Sequence, residues 1–284
     1  MEAARPLRSV LYIPASKARA LEKAAELAAD ALIFDLEDAV APTEKAAARV
    51  GLDGFLREID YGKRLRLVRI NGFDTVWGRA DAASFAAHPG VDGILVPKVN
   101  RAADLDAVAQ VASDKPLWAM VETPLALLHA AEIAAHPALR GLVMGTNDLA
   151  KDLGARARAD RLPLATGLGL CIVAARAYGR AAIDGVFNSL RDNEGLEAEC
   201  RQGRDMGFDG KTLIHPDQLE VANRVFSPAP GELDLALRQI AAFAAAEALG
   251  QGVAVLDGKI VENLHIVTAR ALIDKARVIA AMQG

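Results

Sequence analysis

The chain has 284 residues, enough for one α/β barrel or two smaller domains around a large core. A net charge of −4 offers no basic field for nucleic acid, and 52% hydrophobic with only 5% aromatic residues suits Ala-rich helices on aliphatic strands. Val10–Ile13 is too short for a secretory leader and is stopped by Pro14, while the apolar Ile240–Leu249 is too short for a membrane span and carries Glu247. Cys171 and Cys200 stand alone without CxxC or zinc-like spacing, which suits reduced thiols. The expectation is a soluble cytoplasmic protein with no nucleic-acid or membrane partner.

In chain order, short apolar runs recur, each followed by polar residues and a helical pattern. Ser9–Ile13 is the first predicted strand, with an Ala/Leu/Lys helix through Ala28. Ala31–Phe34 is the second and ends in Asp35-Leu36-Glu37-Asp38. Leu65–Ile70 is the third and runs out in Arg69, Ile70 and Asn71. Gly93–Val96 is the fourth, before Pro97-Lys98. Leu117–Val121 and Gly141–Met144 are the fifth and sixth; Glu122 closes the first of these and Asp148 lies a few residues past the second. Between them Leu125, Leu128, Ala131 and Ile133 recur at helical spacing behind Pro124. Ala181–Phe187 and Lys211–Ile214 complete the series, ending in Asn188-Ser189 and His215-Pro216. Eight strands alternating with helices predict a (β/α)₈ TIM barrel. An open doubly wound sheet is the alternative, but no GxGxxG opens a helix, and Gly167-Leu168-Gly169 lacks a third glycine and a preceding strand. The barrel is assigned to residues 1–226. After the stiff linker Phe226-Ser227-Pro228-Ala229-Pro230, residues 227–284 read as helix Glu232–Leu249, a Gly-punctuated segment Gly250–Gly258 and a helix near Val267–Met282. That extension is expected as a lid or an arm onto another subunit.

A barrel gathers its strand ends at one mouth. Here they are Asp35, Glu37, Asp38, Arg69, Asn71, Lys98, Glu122, Asp148, Asn188 and His215. Glu122 and Asp148, two oxygen donors with no nearby His or Cys, suit Mg²⁺ or Mn²⁺; the plain alternative is that they cap the helices that follow. Asp35–Asp38 reads as a site element or as a solvated acidic turn. Arg69, flanked by apolar residues, needs either an anionic substrate or the mouth acids, with a structural pair to Glu37 or Asp38 as the plain reading. Lys98 binds an anion or snorkels, His215 reads as a helix-start residue, and the Met and Trp residues read as packing.

Arg8-Ser9-Val10-Leu11-Tyr12-Ile13-Pro14, Asp35-Leu36-Glu37-Asp38-Ala39-Val40-Ala41-Pro42, Val68-Arg69-Ile70-Asn71, Pro97-Lys98-Val99, Glu122-Thr123-Pro124, Gly145-Thr146-Asn147-Asp148-Leu149-Ala150, Gly210-Lys211-Thr212-Leu213-Ile214-His215-Pro216, Phe226-Ser227-Pro228 and Leu256-Asp257-Gly258-Lys259 follow one another in order along nearly the whole chain. Together they resemble the citrate lyase β-subunit-like proteins of the HpcH/HpaI aldolase and malyl-CoA lyase family. The resemblance implies a barrel of the phosphoenolpyruvate/pyruvate-binding type with a C-terminal helical lid. It implies an Mg²⁺-dependent (alternatively Mn²⁺-dependent) lyase for malyl-, citramalyl- or citryl-type thioesters, giving an oxo acid and an acetyl thioester. By position it puts the metal on Glu122 and Asp148, and substrate contacts on Arg69 and Glu122. Glu37 and Asp38 fall in support, holding metal-bound water or Arg69. Asp257 falls on an acid/base aspartate supplied by a neighbouring subunit, so a homo-oligomer, a trimer above all, is expected. CoA or an acyl carrier protein is the implied carrier, with Lys17, Arg19 and Lys23 as candidates for CoA phosphates. Pro14-Ala15 and Val261-Glu262-Asn263 depart from the family pattern at the first loop and after the lid aspartate. A pyruvate-type aldolase, a malyl-CoA thioesterase and a non-catalytic subunit are the competing readings.

Overall fold

A computed structural model describes residues 5–283; residues 1–4 and 284, at the ends of the two predicted segments, lie outside the described residues. Residues 7–226 form one unit and carry the strands β1 (Ser9–Pro14), β2 (Ala31–Asp35), β3 (Leu65–Arg69), β4 (Gly93–Val96), β5 (Leu117–Val121), β6 (Leu139–Met144), β7 (Ala181–Asp184) and β8 (Gly210–Leu213). Each strand pairs in parallel with the next, and β8 pairs with β1, so the sheet closes into a barrel. The helices α1 (Ala18–Ala24), α2 (Lys45–Glu58), α3 (Gly78–Phe85), α4 (Ala102–Ala109), α5 (Pro124–Leu128), α6 (Ala130–Ala135), α7 (Thr146–Asp152), α8 (Ala165–Ala177), α9 (Asn193–Met206) and α10 (Leu219–Val225) follow the strands in turn. This is the predicted (β/α)₈ architecture.

The alternation along the strands explains why most of them read as near-continuous apolar runs. Val10, Ile33, Leu67, Leu95, Trp118, Met120, Val143 and Ile183 fill the barrel interior. Leu11, Leu32, Phe34, Val68, Ile94, Leu142 and Leu213 join the larger core that the helices cover. A parallel strand covered on both faces has no solvent side to mark with polar residues.

Some predicted bounds shift. The first helix stops at Ala24, β7 at Asp184, and the helix behind Pro124 breaks at His129 into α5 and α6. The predicted apolar stripe there is not the buried one. Of that stripe Ile133 alone is buried; Leu125 is 41% and Leu128 80% exposed, Ala131 is exposed, and Ala126, Ala130 and Ala134 are buried in their place. In an Ala-rich helix the small residues approach the barrel, so leucine position alone does not mark the inner face.

A buried ionic cluster binds β7 and β8 to α9. The fully buried Lys211 ammonium donates to Asp184 at 3.2 Å and to Glu199 at 2.6 Å. Arg161 donates to the same Asp184 carboxylate at 2.8 Å. These charges tolerate burial because each meets its opposite.

The second unit comprises residues 5–6 with 227–283. It contains α11 (Pro230–Ala248), β9 (Ala254–Leu256), β10 (Lys259–Val261) and α12 (Asn263–Gln283). Pro230 opens α11, and Glu232 turns back to accept the Ala229 N–H at 2.7 Å. Strands β9 and β10 are antiparallel, with Leu256 opposite Lys259, so the Gly-punctuated segment ends in a hairpin. Its two turn residues, Asp257 and Gly258, have φ of +51° and +74°, the left-handed pair of a two-residue type I′ turn. Ala246, Ala254, Val261 and Ile266 form the small core of this unit. Among the described residues no helix is long and apolar enough to cross a membrane.

Candidate functional site

The carboxyl ends of the strands surround a cavity of about 340 Å³ lined by Tyr12, Asp35, Asp38, Arg69, Met120, Glu122, Met144, Asp148 and Asn188, among others. Its central cation is Arg69, the last residue of β3. Asp35 ends β2 and is the register partner of Arg69. That alignment gives a fork: Arg69 Nε donates to Asp35 Oδ1 at 2.7 Å and Nη2 to Oδ2 at 2.6 Å. Nη1 reaches Glu37 at 3.1 Å and Asp38 at 3.2 Å. The guanidinium also lies over the Tyr12 ring, 4.9 Å from its centroid. The ion pairs of the plain reading, to Glu37 and Asp38, are thus both present, and Asp35 adds the two-point grip that the sequence reading did not single out. Asp35 in turn accepts the N–H groups of Glu37 and Ala39 at 2.9 and 3.0 Å, which folds the acidic loop over the arginine.

Glu122, directly after β5, is 2% exposed. It does not cap the next helix. Thr123 does that, its hydroxyl accepting the Ala126 N–H at 3.0 Å. Glu122 Oε1 instead accepts the Lys98 N–H at 2.6 Å. On the other side a Cβ at Gly145 would stand 2.4 Å from Glu122 Cβ and 2.5 Å from Oε2, so only glycine lets the β6 end pass the carboxylate. Burial pushes Glu122 up to about 6, with Arg69 and the Lys98 N–H opposing and Asp148 adding to the rise. Asp148 lies in the first turn of α7 and lines the same cavity. Burial likewise raises Glu37 to about 7 against the pull of Arg69. Asp38 is held below its usual range: burial opposes this, but Arg69 and the hydrogen bond with Glu37 prevail.

Other strand-end residues divide. Asn188 borders the cavity and exchanges amide hydrogen bonds with Asn147 at 2.8 and 3.3 Å. Asn71 does not face that cavity; its side chain is fixed between Leu36 O, Asp81 and the Lys45 ammonium. His215 starts a short helical turn, its Nδ1 accepting the Asp217 N–H at 3.2 Å. Met120 and Met144, read from sequence as packing, line the cavity. Asp257 belongs to the C-terminal unit, at the hairpin tip, paired with Arg238.

Among the described residues no group of three or more His, Cys, Asp or Glu forms a ready-made metal cage. Glu122 and Asp148 nevertheless fit a hard divalent cation such as Mg²⁺. They are oxygen donors, two are enough for Mg²⁺ when water and substrate complete the shell, and the raised Glu122 marks a buried charge that a cation relieves.

The pattern of the HpcH/HpaI aldolase/citrate lyase family matches residues 8–216. The chain belongs to that family. A (3S)-malyl-CoA thioesterase of Cereibacter sphaeroides (strain ATCC 17029) is 66% identical over 281 residues, covering 99% of this chain and 98% of the relative. An L-malyl-CoA/beta-methylmalyl-CoA lyase of Cereibacter sphaeroides (strain ATCC 17025) is 32% identical, covering 98% and 97%. Among solved structures, protein CitE from Mycobacterium tuberculosis, in complex with magnesium, acetoacetate and coenzyme A, superposes with a TM-score of 0.81 at 32% identity. The match covers 98% of this chain and 100% of that one. As a member of the HpcH/HpaI aldolase/citrate lyase family the chain is an enzyme of an α/β barrel class, and the strand-end acids and Arg69 lie where a barrel enzyme carries its chemistry.

Proposed function

We propose that this protein is a divalent-cation-dependent enzyme that hydrolyses the thioester of (3S)-malyl-CoA or a close analogue to the free hydroxy diacid and CoA. The observation that carries this reading is the 66% identity to a thioesterase of that name over both chains, against 32% for the lyase. The mouth geometry supports it. Glu122 and Asp148, which line the cavity, would hold the cation beside the acyl end of the substrate. A cation held there would supply Lewis-acid polarisation of substrate oxygens. Arg69, immobilised by Asp35, supplies fixed positive charge where negative charge develops on oxygen. Glu37, raised to about 7 beside Arg69, lines the adjoining cleft rather than this cavity, and takes a proton near neutral pH by way of Asp38, which borders both. Water then adds to the thioester carbonyl, the C–S bond breaks, and the proton leaves with the thiol. The cavity of about 340 Å³ takes the acyl end, with most of the CoA outside it. Asp257 completes the acid/base set from the hairpin of a neighbouring copy, in a homo-oligomer that is a trimer.

The second reading is C–C cleavage of the same thioester to glyoxylate and acetyl-CoA, the lyase chemistry expected from the sequence; it uses the same acids and Arg69, and the 32% identical lyase favours it. Incubating the protein with malyl-CoA and Mg²⁺ separates the two. Malate with free CoA supports hydrolysis, glyoxylate with acetyl-CoA supports the lyase, and neither product overturns both. Glu122→Ala and Asp148→Ala are each expected to lose at least about 100-fold in turnover, with chelation of the cation doing the same to the wild type.

A further inference from the structure

Lys98 is unusual in its main chain and in its surroundings. It follows β4 with φ of +52°, in the left-handed region that a residue with a Cβ seldom adopts. Such backbone persists only where neighbours over-determine it, and it clusters at functional sites. Here Pro97 and Val99 on either side are buried. The Lys98 N–H is thereby turned onto Glu122 Oε1 at 2.6 Å. The half-exposed side chain leads the other way, to the acidic loop after β2, where its ammonium is 3.5 Å from Glu37 Oε1. Its charge is also stabilised by Glu122, Asp148 and Asp38. Lys98 therefore faces four acids, while the Arg69 fork is committed to Asp35.

We propose that Lys98 is a positioning residue of this site. Its main chain aims Glu122 at the divalent cation, and its ammonium is a tethered counter-ion of the acid cluster that yields to that cation and turns to an anionic group of the substrate. The proposal rests on the reading that Glu122 and Asp148 hold the cation. Two cations drawn to the same acids repel each other, so the ammonium weakens metal binding while it favours an anionic substrate. Removing it moves the two affinities in opposite directions. A merely structural lysine, once removed, would loosen the site and weaken both.

The test uses the full chain and Mn²⁺ as the probe, with free Mn²⁺ read by electron paramagnetic resonance. Lys98→Ala keeps the N–H and the Cβ and removes only the charged arm. It is expected to bind Mn²⁺ about three- to tenfold more tightly, while KM for malyl-CoA rises at least about fivefold. Lys98→Arg is expected to stay within about twofold of wild type for Mn²⁺. The Lys98 amide proton resonance is expected to shift in Glu122→Gln, which reports the main-chain contact without altering residue 98. Unchanged Mn²⁺ affinity in Lys98→Ala, or a loss of both affinities, overturns the role of the ammonium; an amide resonance indifferent to Glu122→Gln overturns that of the main chain. Equal Mn²⁺ binding by wild type and Glu122→Gln overturns the cation site itself, and the proposal with it.

Discussion

Arg69 is bound into the fold by Asp35 and is proposed for the chemistry, and one substitution separates the two roles. Arg69→Lys keeps a charge but cannot span both Asp35 oxygens, now held at 2.7 and 2.6 Å. Turnover is expected to fall at least about 100-fold with a smaller effect on thermal stability. A folded variant with normal kcat but a much lower Tm would assign the arginine to structure alone. Titration of the acids gives a second expectation. Glu122 and Glu37 are raised, to about 6 and about 7, so each binds its proton more tightly folded than unfolded. Their contribution to stability is complete below the unfolded value and is lost as pH rises through the folded one. For Glu122 the loss is on the order of 2 kcal/mol. Without a divalent cation, Tm should therefore rise between about pH 7.5 and 5.5 as these groups protonate. Saturating Mg²⁺ should flatten the slope by favouring the ionised acids, and calorimetry in both conditions checks it; a slope indifferent to Mg²⁺ contradicts the site. Glu37, Asp38, Arg69, Glu122 and Asp148 were legible as candidates because a barrel brings strand ends together, whatever loops separate them in sequence. The primacy of Asp35 over its neighbours was not, because it depends on the β2–β3 register. Lys98 was legible as a strand-end cation, but its contact with Glu122 was not, since a left-handed lysine reads like any other.

The strands could be read because both their faces are buried: Gly93–Val96 and Leu117–Val121 are present with the bounds their apolar runs imply. The helices gave less, because Ala-rich sequence leaves the inner face underdetermined, and α5 turns two leucines outward. The buried cluster at β7 and β8 was also hidden, because a lysine inside a Gly-Lys-Thr-Leu strand signals nothing until Asp184 and Glu199 come beside it. It yields a sharp expectation. Lys211→Met removes the ammonium from both carboxylates and leaves Asp184 and Glu199 to share Arg161, at 2.8 and 3.5 Å. Unfolding free energy should fall by about 3–5 kcal/mol, because truncating one partner leaves two carboxylates in the buried cluster on a single cation. Adding Glu199→Gln should recover part of the loss, and urea unfolding of both variants measures it. No recovery would mean that the packing of the lysine stem, rather than its charge, holds α9 to the barrel.

At the scale of the molecule, the question is where Asp257 works. In the C-terminal unit its side chain is 60% exposed and paired with Arg238, on a tip whose neighbours Val255 and Ile260 are 69% and 62% exposed. The Asp257-Gly258 pair meets the backbone demand of the turn, as its plain reading required. Turn chemistry explains the glycine, but it does not explain apolar residues displayed beside the aspartate. An exposed apolar strand pair is suited to rest on another surface. If that surface is the barrel of a second copy, each active site is built from two chains and defects in different chains complement one another. Asp257→Ala and Glu122→Ala proteins, each inactive alone, should regain a fraction of wild-type turnover when mixed and allowed to exchange subunits. In a randomly mixed trimer each composite site has about a one-in-four chance of drawing both wild-type residues from its two contributing chains. Recovery should therefore approach about a quarter and fall with excess of either variant. Mixed oligomers verified by mass spectrometry that remain inactive would place Asp257 outside the chemistry, and a fully active monomer would do the same.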